Sequence, residues 1–245
     1  MVEPMFWNEF QTEPVVGSRV ELAGSEGKHA ASVRRMRVGE TIQLTDGAGL
    51  RVRGSVAEVL PKSLIVEVSE VSHDPLPDDQ IFLIQALAKG DRDELAIQAA
   101  TELGAIAVVP WQAERSISRW DAAKAAKGQV RWQLICDEAA KQSLRTHFPV
   151  VAMPLASAEV AKIVEDFDAM VILDPTAQVG LAKLENLTGR IALVVGPEGG
   201  ISDEELALFE QVGAIRAHLG ESILRTSTAG VAAIAAIQAL TGRYN

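Results

Sequence analysis

The sequence predicts a two-domain α/β protein in which a small, all-β N-terminal domain precedes a larger domain built around a parallel sheet. Residues 41–70 read as short strands joined by tight turns, with little helix between them. Beyond residue 80, apolar strands alternate with helices, as in sheets that helices cover on both faces. The chain has 245 residues, enough for two domains of the usual size of about 100–200 residues.

The predicted N-terminal domain depends on three strand-like segments. TIQLTDG (41–47) and the alternating LRVRGSVAEV (50–59) are separated by the turn-forming residues 46–49, and SLIVEVSE (63–70) follows Pro61-Lys62. Short strands with tight turns indicate a small barrel or sandwich. A polar, proline-marked segment, 72–79, follows. We therefore expect domains at residues 1–73 and 74–245.

The predicted C-terminal domain alternates strands with helices. Strands are expected at 81–87, 106–110, 169–173, 191–195 and 215–219, and helices at 91–103, 129–143, 202–212 and 227–240. Gly104 is placed to end the first of these helices, and Ser202 with Glu205 forms an S-x-x-E capping box at the start of the third. These signals predict a parallel sheet with helices on both faces.

The charge is unevenly distributed along the chain. The net charge is −10, yet residues 28–53 and 115–131 each carry +4, so the remainder sums to −18. Two basic islands on an acidic protein suit a polyanion that docks in one orientation, although ordinary solvated faces explain them equally well. No apolar run approaches the roughly 20 residues that span a bilayer, and the N-terminus lacks a secretory signal. With Cys136 as its only cysteine, the chain is expected in the reducing cytoplasm and not at a membrane.

Three loops are candidates for a ligand site because ligands of open α/β sheets bind beyond the carboxyl ends of the strands. They comprise residues 174–176, 196–200 and 220–226. GPEGG (196–200) is the most informative, since three glycines let the backbone approach a ligand closely. It matches neither the P-loop nor the dinucleotide fingerprint. A ligand loop explains three glycines and a proline better than a plain strand-to-helix turn does.

Several chemically tempting residues have simpler explanations. Arg225 precedes an apolar helix that Thr226 or Ser227 could cap, which would leave it as an exposed surface arginine. Cys136 lies in an apolar-faced helix and is expected to be a packed thiol. The tryptophans could stack on bases, but core packing is favoured; they are Trp111, Trp120 and Trp132. The four histidines lack metal-ligand spacing, so no metal is expected.

Five ordered motifs, with a sixth near the N-terminus, carry a resemblance to a known family. They are HAASVRRMRVGE (29–40), KGDRDELAIQAATELGA (89–105), ERS (114–116), RWQLICDEAAKQS (131–143), GPEGGIS (196–202) and LGESILRTSTA (219–229). In this order they resemble the bacterial 16S ribosomal RNA (uracil-N3) methyltransferases, the ribosomal RNA small-subunit methyltransferase E family of the SPOUT class. The resemblance covers nearly the whole chain. One departure is Ser227, where the family commonly has glutamate.

The resemblance implies both a fold and an activity. The fold is a PUA-like, RNA-binding β-barrel followed by a SPOUT-type parallel sheet with a trefoil knot, which periodicity would not suggest because threaded chains are rare. The activity is S-adenosyl-L-methionine-dependent methylation of N3 of a specific uridine, with 16S rRNA or the assembled small ribosomal subunit as partner. A homodimer with active sites near its interface is also implied. Two alternatives stay open: a SPOUT enzyme with another target atom, such as a ribose 2′-hydroxyl, and a non-catalytic RNA-binding protein.

The same resemblance, read with the chemistry of the side chains, assigns candidate site residues. The cofactor is expected at Leu173, Gly196, Pro197, Gly199, Leu219, Gly220, Ile223 and Leu224. Arg225 is expected to stabilise the uracil anion, and Glu198 to orient Arg225 or accept the N3 proton. Two groups of residues are expected to bind RNA. Arg34, Arg35 and Arg37 would bind phosphates, and Arg115 and Arg119 would present a second strand of RNA.

Overall fold

The computed structural model describes residues 3–185 and 187–243, and its backbone forms two compact units. Unit 1 comprises the chain up to Leu76 together with Ala140–Phe148; unit 2 comprises Pro77–Ala139 and the chain from Pro149 onward. The division after Leu76 lies close to the predicted boundary after residue 73. The return of residues 140–148 to unit 1 has no counterpart in the sequence prediction, because no local pattern marks it.

Unit 1 is built on a five-stranded sheet. Its strands are β1 (Met5–Trp7), β2 (Arg19–Leu22), β3 (Thr41–Thr45), β4 (Leu50–Val59) and β5 (Leu64–His73), in the order β1-β3-β4-β5-β2. All pairs are antiparallel except β1 with β3. A short helix, α1 (Gly24–Lys28), continues into a π-helical turn, His29–Val33. The three strands predicted from alternation are confirmed, whereas β1, β2 and α1 were not predicted because they are short.

Residues 140–148 belong to unit 1 through a partly buried polar network. Arg51 forms an ion pair with Asp74 at 2.6 Å and donates a hydrogen bond to the Leu144 carbonyl oxygen at 3.0 Å. The Thr146 hydroxyl donates to the same Asp74 carboxylate at 2.8 Å. Lys141 pairs with Glu26 at 2.6 Å. Since paired charges tolerate burial better than isolated ones, the network fixes this stretch and occupies Arg51, one cation of the first basic island.

Unit 2 contains a wholly parallel sheet, as predicted, with seven strands where five were expected. Its strands are β6 (Gln80–Ala86), β7 (Ala107–Gln112), β8 (Val150–Val151), β9 (Leu155–Ala156), β10 (Ala169–Leu173), β11 (Arg190–Val195) and β12 (Ile215–Ala217). The order is β12-β10-β11-β6-β7-β8, and β9 also pairs with β7. The inner residues of β6 and β11 are almost fully buried, as expected for strands that helices cover on both faces.

Helices cover both faces of this sheet. They are α2 (Arg92–Glu102), α3 (Ala122–Gln142), α4 (Ser157–Lys162), α5 (Asp203–Gln211) and α6 (Thr226–Leu240). One core joins Leu83 of the sheet to Ile97, Trp132 and Ile234 of helices α2, α3 and α6. The core on the opposite face joins Trp111 to α4 and α5. The predicted core positions of Trp111, Trp132 and Cys136 are confirmed. No helix in the described ranges is both long and apolar enough to cross a membrane.

Helix α3 begins at Ala122, seven residues before the predicted start at 129. Gly128 reads as a helix breaker in the sequence, but a Cβ there would lie 2.5 Å from the Trp120 ring. The glycine therefore makes room for the indole, which packs edge-on against Trp132 with ring centroids 5.3 Å apart. Asp121 supplies the start signal, since its carboxylate accepts a hydrogen bond from the Lys124 backbone N–H at 2.9 Å.

The connections of the sheet change direction between β6 and β11. From β6 the chain proceeds to β7 and β8 on one side, whereas β11, β10 and β12 lie on the other. The segments that leave the carboxyl ends of β6 and β11 therefore diverge and open a crevice between them. Ligands of open α/β sheets bind in such crevices. The topology of unit 2 therefore predicts a ligand site at the carboxyl edge of its parallel sheet.

Candidate active site

A cavity of about 590 Å³ lies at this carboxyl edge. Its volume is within the range of roughly 300–1,000 Å³ that small-molecule sites usually have. Seven of the eight predicted cofactor residues line it, namely Leu173, Gly196, Pro197, Leu219, Gly220, Ile223 and Leu224, as do the predicted Glu198, Arg225 and Arg115. Gly199 packs instead against Arg115, where an added Cβ would lie 3.1 Å from that residue's Cβ. The structure thus gathers segments that are far apart in the chain.

The loop after β11 bends sharply because of its glycines. Gly200 has a φ of +74°, which side-chain-bearing residues rarely adopt. A Cβ on Gly196 would lie 2.7 Å from the Ile201 side chain. The predicted capping box at the start of α5 is confirmed, since Ser202 and Glu205 exchange side-chain-to-backbone hydrogen bonds. The backbone of this loop is therefore held close to the cavity at both ends.

Glu205 has a second function that the capping motif does not reveal. Its Oε1 accepts hydrogen bonds from the Glu114 backbone N–H at 2.8 Å and from the Ser157 hydroxyl at 2.6 Å. Arg115, the next residue, donates to the Ile201 carbonyl oxygen at 3.3 Å. The ERS segment and the GPEGG loop are thus joined by a nearly fully buried carboxylate.

Thr226 connects three elements behind the cavity. Its hydroxyl donates to the Gly196 carbonyl oxygen at 2.8 Å and accepts from Gln85 Nε2 at 2.8 Å. Gln85 is fully buried and Thr226 is 6% exposed. The alternative in which Thr226 caps α6 is not what the structure shows, since its hydroxyl bonds to the β11 loop. Sequence analysis missed Gln85 because its partner is 141 residues away.

The loop after β12 takes its shape from two local features. Gly220 has a φ of +122°, and its N–H donates to Nδ1 of His218 at 3.0 Å. The His218 backbone in turn bonds to the segment after β10, through Val179 and Leu181. The loops after β10 and β12 therefore support one another at the cavity wall.

Glu198 is paired with a residue that sequence analysis did not assign to the site. Its Oε1 accepts hydrogen bonds from Arg92 Nη1 at 2.8 Å and from the Lys89 backbone N–H at 3.0 Å. Partial burial acts to raise the pKa of Glu198, but hydrogen bonds from backbone N–H groups and Arg92 outweigh it, so the pKa lies below its usual value. The predicted role of Glu198 in orienting Arg225 would require a contact between the two side chains. Within the described ranges, no hydrogen bond or ion pair joins them. The signal that could have found Arg92 is the KGDR motif (89–92).

Arg225 stands at the start of α6 with its side chain exposed. It lines the cavity, and no ion pair with a carboxylate of the described residues holds its guanidinium. The N-terminal amides of α6 lie beside it, so both the helix end and the side chain favour an anion here. Arg225 therefore remains available to a negatively charged ligand.

Asp174 supports the cavity wall after β10. It is 8% exposed, accepts hydrogen bonds from the Thr176 backbone N–H at 3.0 Å and from Arg216 Nε at 2.9 Å, and also forms an ion pair with Arg216. Burial acts to raise the pKa of Asp174, but the bonds from Thr176 and Arg216 outweigh it, so the pKa lies below its usual value. The carboxylate fastens the β10 loop to strand β12.

We expect Asp174→Asn to lower the free energy of unfolding at neutral pH by about 1.5–3 kcal/mol, the range for hydrogen bonds to a charged group. Because the folded-state pKa is depressed, the contribution of Asp174 is complete above the unfolded pKa of about 3.9 and is lost as pH falls through the folded pKa. Urea titrations at several pH values should therefore show the gap between wild type and variant shrinking below about pH 4. Asp166→Asn, at an exposed carboxylate, is the matched control. A gap that stays constant with pH would refute the linkage.

The predicted RNA-binding residues fall into two groups. Arg34, Arg35 and Arg37 are exposed in unit 1, and no carboxylate of the described residues pairs with them. Arg53, by contrast, pairs with Glu3 and Glu70. In unit 2, Arg119 donates to the Glu114 carbonyl oxygen at 2.6 Å. In the first basic island (28–53), the ion pairs among described residues therefore involve Arg51 and Arg53, and residues 28–37 form none. The described part of the chain contains no cluster of three His, Cys, Asp or Glu side chains suited to a metal.

Comparison with known proteins identifies the family. Residues 74–238 match the model of an RNA methyltransferase domain, and residues 22–69 match that of an RNA methyltransferase PUA domain. The ribosomal RNA small subunit methyltransferase E of Mycobacterium bovis is 38% identical over 250 aligned residues, which cover 100% of this chain and 95% of that protein. The enzyme of the same name from Neisseria gonorrhoeae, solved with S-adenosyl methionine, is 31% identical with a TM-score of 0.87, covering 98% of both chains. A Legionella pneumophila methyltransferase, solved with the same cofactor, is 29% identical with a TM-score of 0.87 and the same coverage. The chain belongs to the ribosomal RNA small subunit methyltransferase E family of RNA methyltransferases.

Proposed function

We propose that this protein binds S-adenosyl-L-methionine in the cavity of unit 2 and methylates N3 of a specific uridine in 16S rRNA, within the RNA or the assembled small subunit. The observation that carries the proposal is the cavity at the carboxyl edge of the sheet, with Arg225 at its wall. The residues fit the cofactor, because Leu173, Leu219 and Leu224 offer apolar surface and the glycine loops offer backbone groups. The bound cofactor would supply an electrophilic methyl group.

The task of the protein is to stabilise charge on the target base. The imide N–H of uracil is weakly acidic, so the proton must leave N3 before or during methylation, and negative charge then spreads over the two neighbouring carbonyl oxygens. The Arg225 guanidinium can donate two hydrogen bonds to such an edge. Its location at the N-terminus of α6 adds the positive end of the helix dipole.

The knot, the homodimer and the division of labour between domains are parts of the same proposal. Bonds between His218 and the 179–181 segment support threading, since they join the chain after β12 to the loop after β10. Helix α6 supports a dimer interface, because Val231, Ala232 and Ala235 remain partly exposed on an otherwise apolar helix. Residues 1–73 would bind RNA and residues 74–245 would catalyse, in the cytoplasm where ribosomal subunits are assembled.

Mass spectrometry of rRNA from cells with and without the gene tests the function. The expected result is the loss of one N3-methyluridine from 16S rRNA, restored by the wild-type protein. A lost ribose 2′-O-methyl group would favour a SPOUT enzyme with another target atom. Absence of measurable affinity for S-adenosyl-L-methionine or its demethylated product would leave the RNA-binding alternative.

Removing the three exposed arginines of unit 1 should weaken RNA binding and spare the cofactor site. For Arg34→Ala/Arg35→Ala/Arg37→Ala, we expect the slope of log affinity against log salt to flatten by roughly 2, since each lost phosphate contact removes about 0.7 for single strands. Filter binding across a salt series measures this. The matched control is Arg53→Ala, at an arginine already paired with carboxylates. Equal loss of cofactor affinity in the triple variant would contradict the assignment.

A further inference from the structure

Arg92 and Glu198 form an ion pair at the wall of the cavity, between the segments that leave β6 and β11. Arg92 is the first residue of α2, on the segment that follows β6, and Glu198 belongs to the loop after β11. The Nη1–Oε1 distance is 2.8 Å, and the Lys89 N–H fixes the same oxygen at 3.0 Å. Since β6 and β11 are the two strands between which the connections reverse, the pair bridges the crevice itself.

Much of the Arg92 guanidinium remains available to a ligand. An arginine side chain has five N–H donors. Among the described residues, Glu198 accepts a hydrogen bond from one of them, on Nη1. The side chain is 40% exposed and lines the cavity. A cation in the first turn of a helix also opposes the helix dipole, so the stability of α2 does not explain an arginine at this position. Glu198 therefore restrains one end of the guanidinium at the cavity wall while much of the side chain remains exposed.

We propose that Arg92 is a catalytic residue that contacts the target uracil, and that Glu198 is a positioning residue that acts through Arg92. The inference rests on the proposed function and names the second of two cations that the reaction can use. Charge from N3 spreads to the O2 and O4 carbonyl oxygens on either side of it. Arg225, at the start of α6, and Arg92, at the start of α2, come from different elements, and each can serve one oxygen.

The step balances without any further reactant. The electron pair of the N3–H bond becomes available on N3 as the proton passes to water, and that pair forms the N3–C bond to the methyl carbon. The carbon–sulfur bond breaks with its electrons remaining on sulfur. Arg92 and Arg225 hold the carbonyl oxygens throughout, and neither gains nor loses a proton. Glu198 stays ionised, in keeping with hydrogen bonds that stabilise its charged form.

The test uses the full-length protein and small ribosomal subunits from cells that lack the gene. For each variant, kcat and KM for methyl incorporation, the pH profile, the melting temperature and the dissociation constant of S-adenosylhomocysteine are measured. The variants are Arg92→Ala, Arg92→Lys, Glu198→Gln, Glu198→Ala and the double alanine variant. Arg190→Ala is the matched control, because Arg190 begins β11 at the opposite edge of the sheet and lies over the Phe82 ring.

For Arg92→Ala we expect kcat to fall roughly 10- to 100-fold, the range of a hydrogen bond to a charged group, with unchanged affinity for S-adenosylhomocysteine. Arg92→Lys should recover part of this loss. Glu198→Gln keeps the accepting oxygen and should retain the wild-type pH profile and most of kcat. Glu198→Ala should lose activity, and adding it to Arg92→Ala should cause no further loss, because the two act as one unit.

Three results would overturn the proposal. Unchanged kcat in Arg92→Ala would remove Arg92 from the reaction. Parallel loss of S-adenosylhomocysteine affinity would assign Arg92 to the cofactor instead. An inactive Glu198→Gln with intact cofactor binding, or one that loses the acidic limb of the pH profile, would make Glu198 the base. If the wild-type protein itself fails to methylate the subunits, the proposed function has failed, and that outcome is separate from these three.

Discussion

Replacing Arg225 with alanine is expected to reduce kcat about 100- to 1,000-fold, the cost of removing one preorganised donor from a developing anion. Affinity for S-adenosyl-L-methionine should not fall with it, because the residues proposed to hold the cofactor are mainly backbone and apolar groups around Gly196, Leu219 and Leu224. Single-turnover methylation of small subunits, combined with calorimetric titration of the cofactor, separates the two quantities.

Arg225→Lys provides the matched comparison. Lysine keeps the positive charge but loses the planar fork that binds two acceptors at once. Intermediate activity is therefore expected. If Arg225→Ala turns over as fast as the wild type, the uracil anion must be stabilised elsewhere, and the role assigned to the start of α6 is incorrect.

Thr226→Val is expected to destabilise the fold by roughly 2–6 kcal/mol, because it removes a hydrogen bond from each of two groups at about 1–3 kcal/mol each. Valine has nearly the same shape, so the change removes the hydroxyl without opening a cavity. The Gly196 carbonyl oxygen loses its donor, and Gln85 Nε2 loses one of its two acceptors and keeps the Ala86 carbonyl oxygen. Because the Gly196 peptide lines the cavity, cofactor affinity should fall as well. Urea unfolding and cofactor titration measure the two effects.

The control for this change is Thr226→Ser, which keeps the hydroxyl and removes one methyl group. Its stability and cofactor affinity should remain much closer to those of the wild type. If Thr226→Val is no less stable than Thr226→Ser, the hydroxyl contributes no more than the methyl group, and the hydrogen-bonded chain from Gln85 to Gly196 does not have the stabilising effect expected of it.

Local sequence patterns were sufficient for the larger elements of the fold. Alternation found β3, β4 and β5, and continuous apolar runs found the strands of the parallel sheet. Short pieces such as β1, β8 and α4 escaped because two to six residues carry no period. The early start of α3 escaped because Gly128 reads as a breaker, whereas the structure uses it to seat Trp120. The return of residues 140–148 to unit 1 depends on Asp74 and Arg51, far away in the chain.

The same distinction holds for the candidate site. GPEGG and the arginine after β12 were visible because glycines and cations at strand ends have local meaning. Gln85, Arg92 and Arg216 were not singled out, since each acquires its role from a partner more than 40 residues away. Glu198 was predicted to orient Arg225, whereas the structure pairs it with Arg92, because nothing in the sequence shows which of two arginines a carboxylate will contact.

Glu205 has a consequence for how the two substrates would influence each other. The Glu205 carboxylate binds the start of α5, the Glu114 N–H and the Ser157 hydroxyl. The GPEGG loop (196–200), which leads into α5, and the ERS turn (114–116) therefore cannot become mobile independently. A ligand that reduces the mobility of one of these segments also reduces the mobility of the other. Thermodynamic reciprocity then requires that a ligand bound at the turn change the affinity of the loop for its own ligand by the same factor as the reverse, because one coupling free energy governs both.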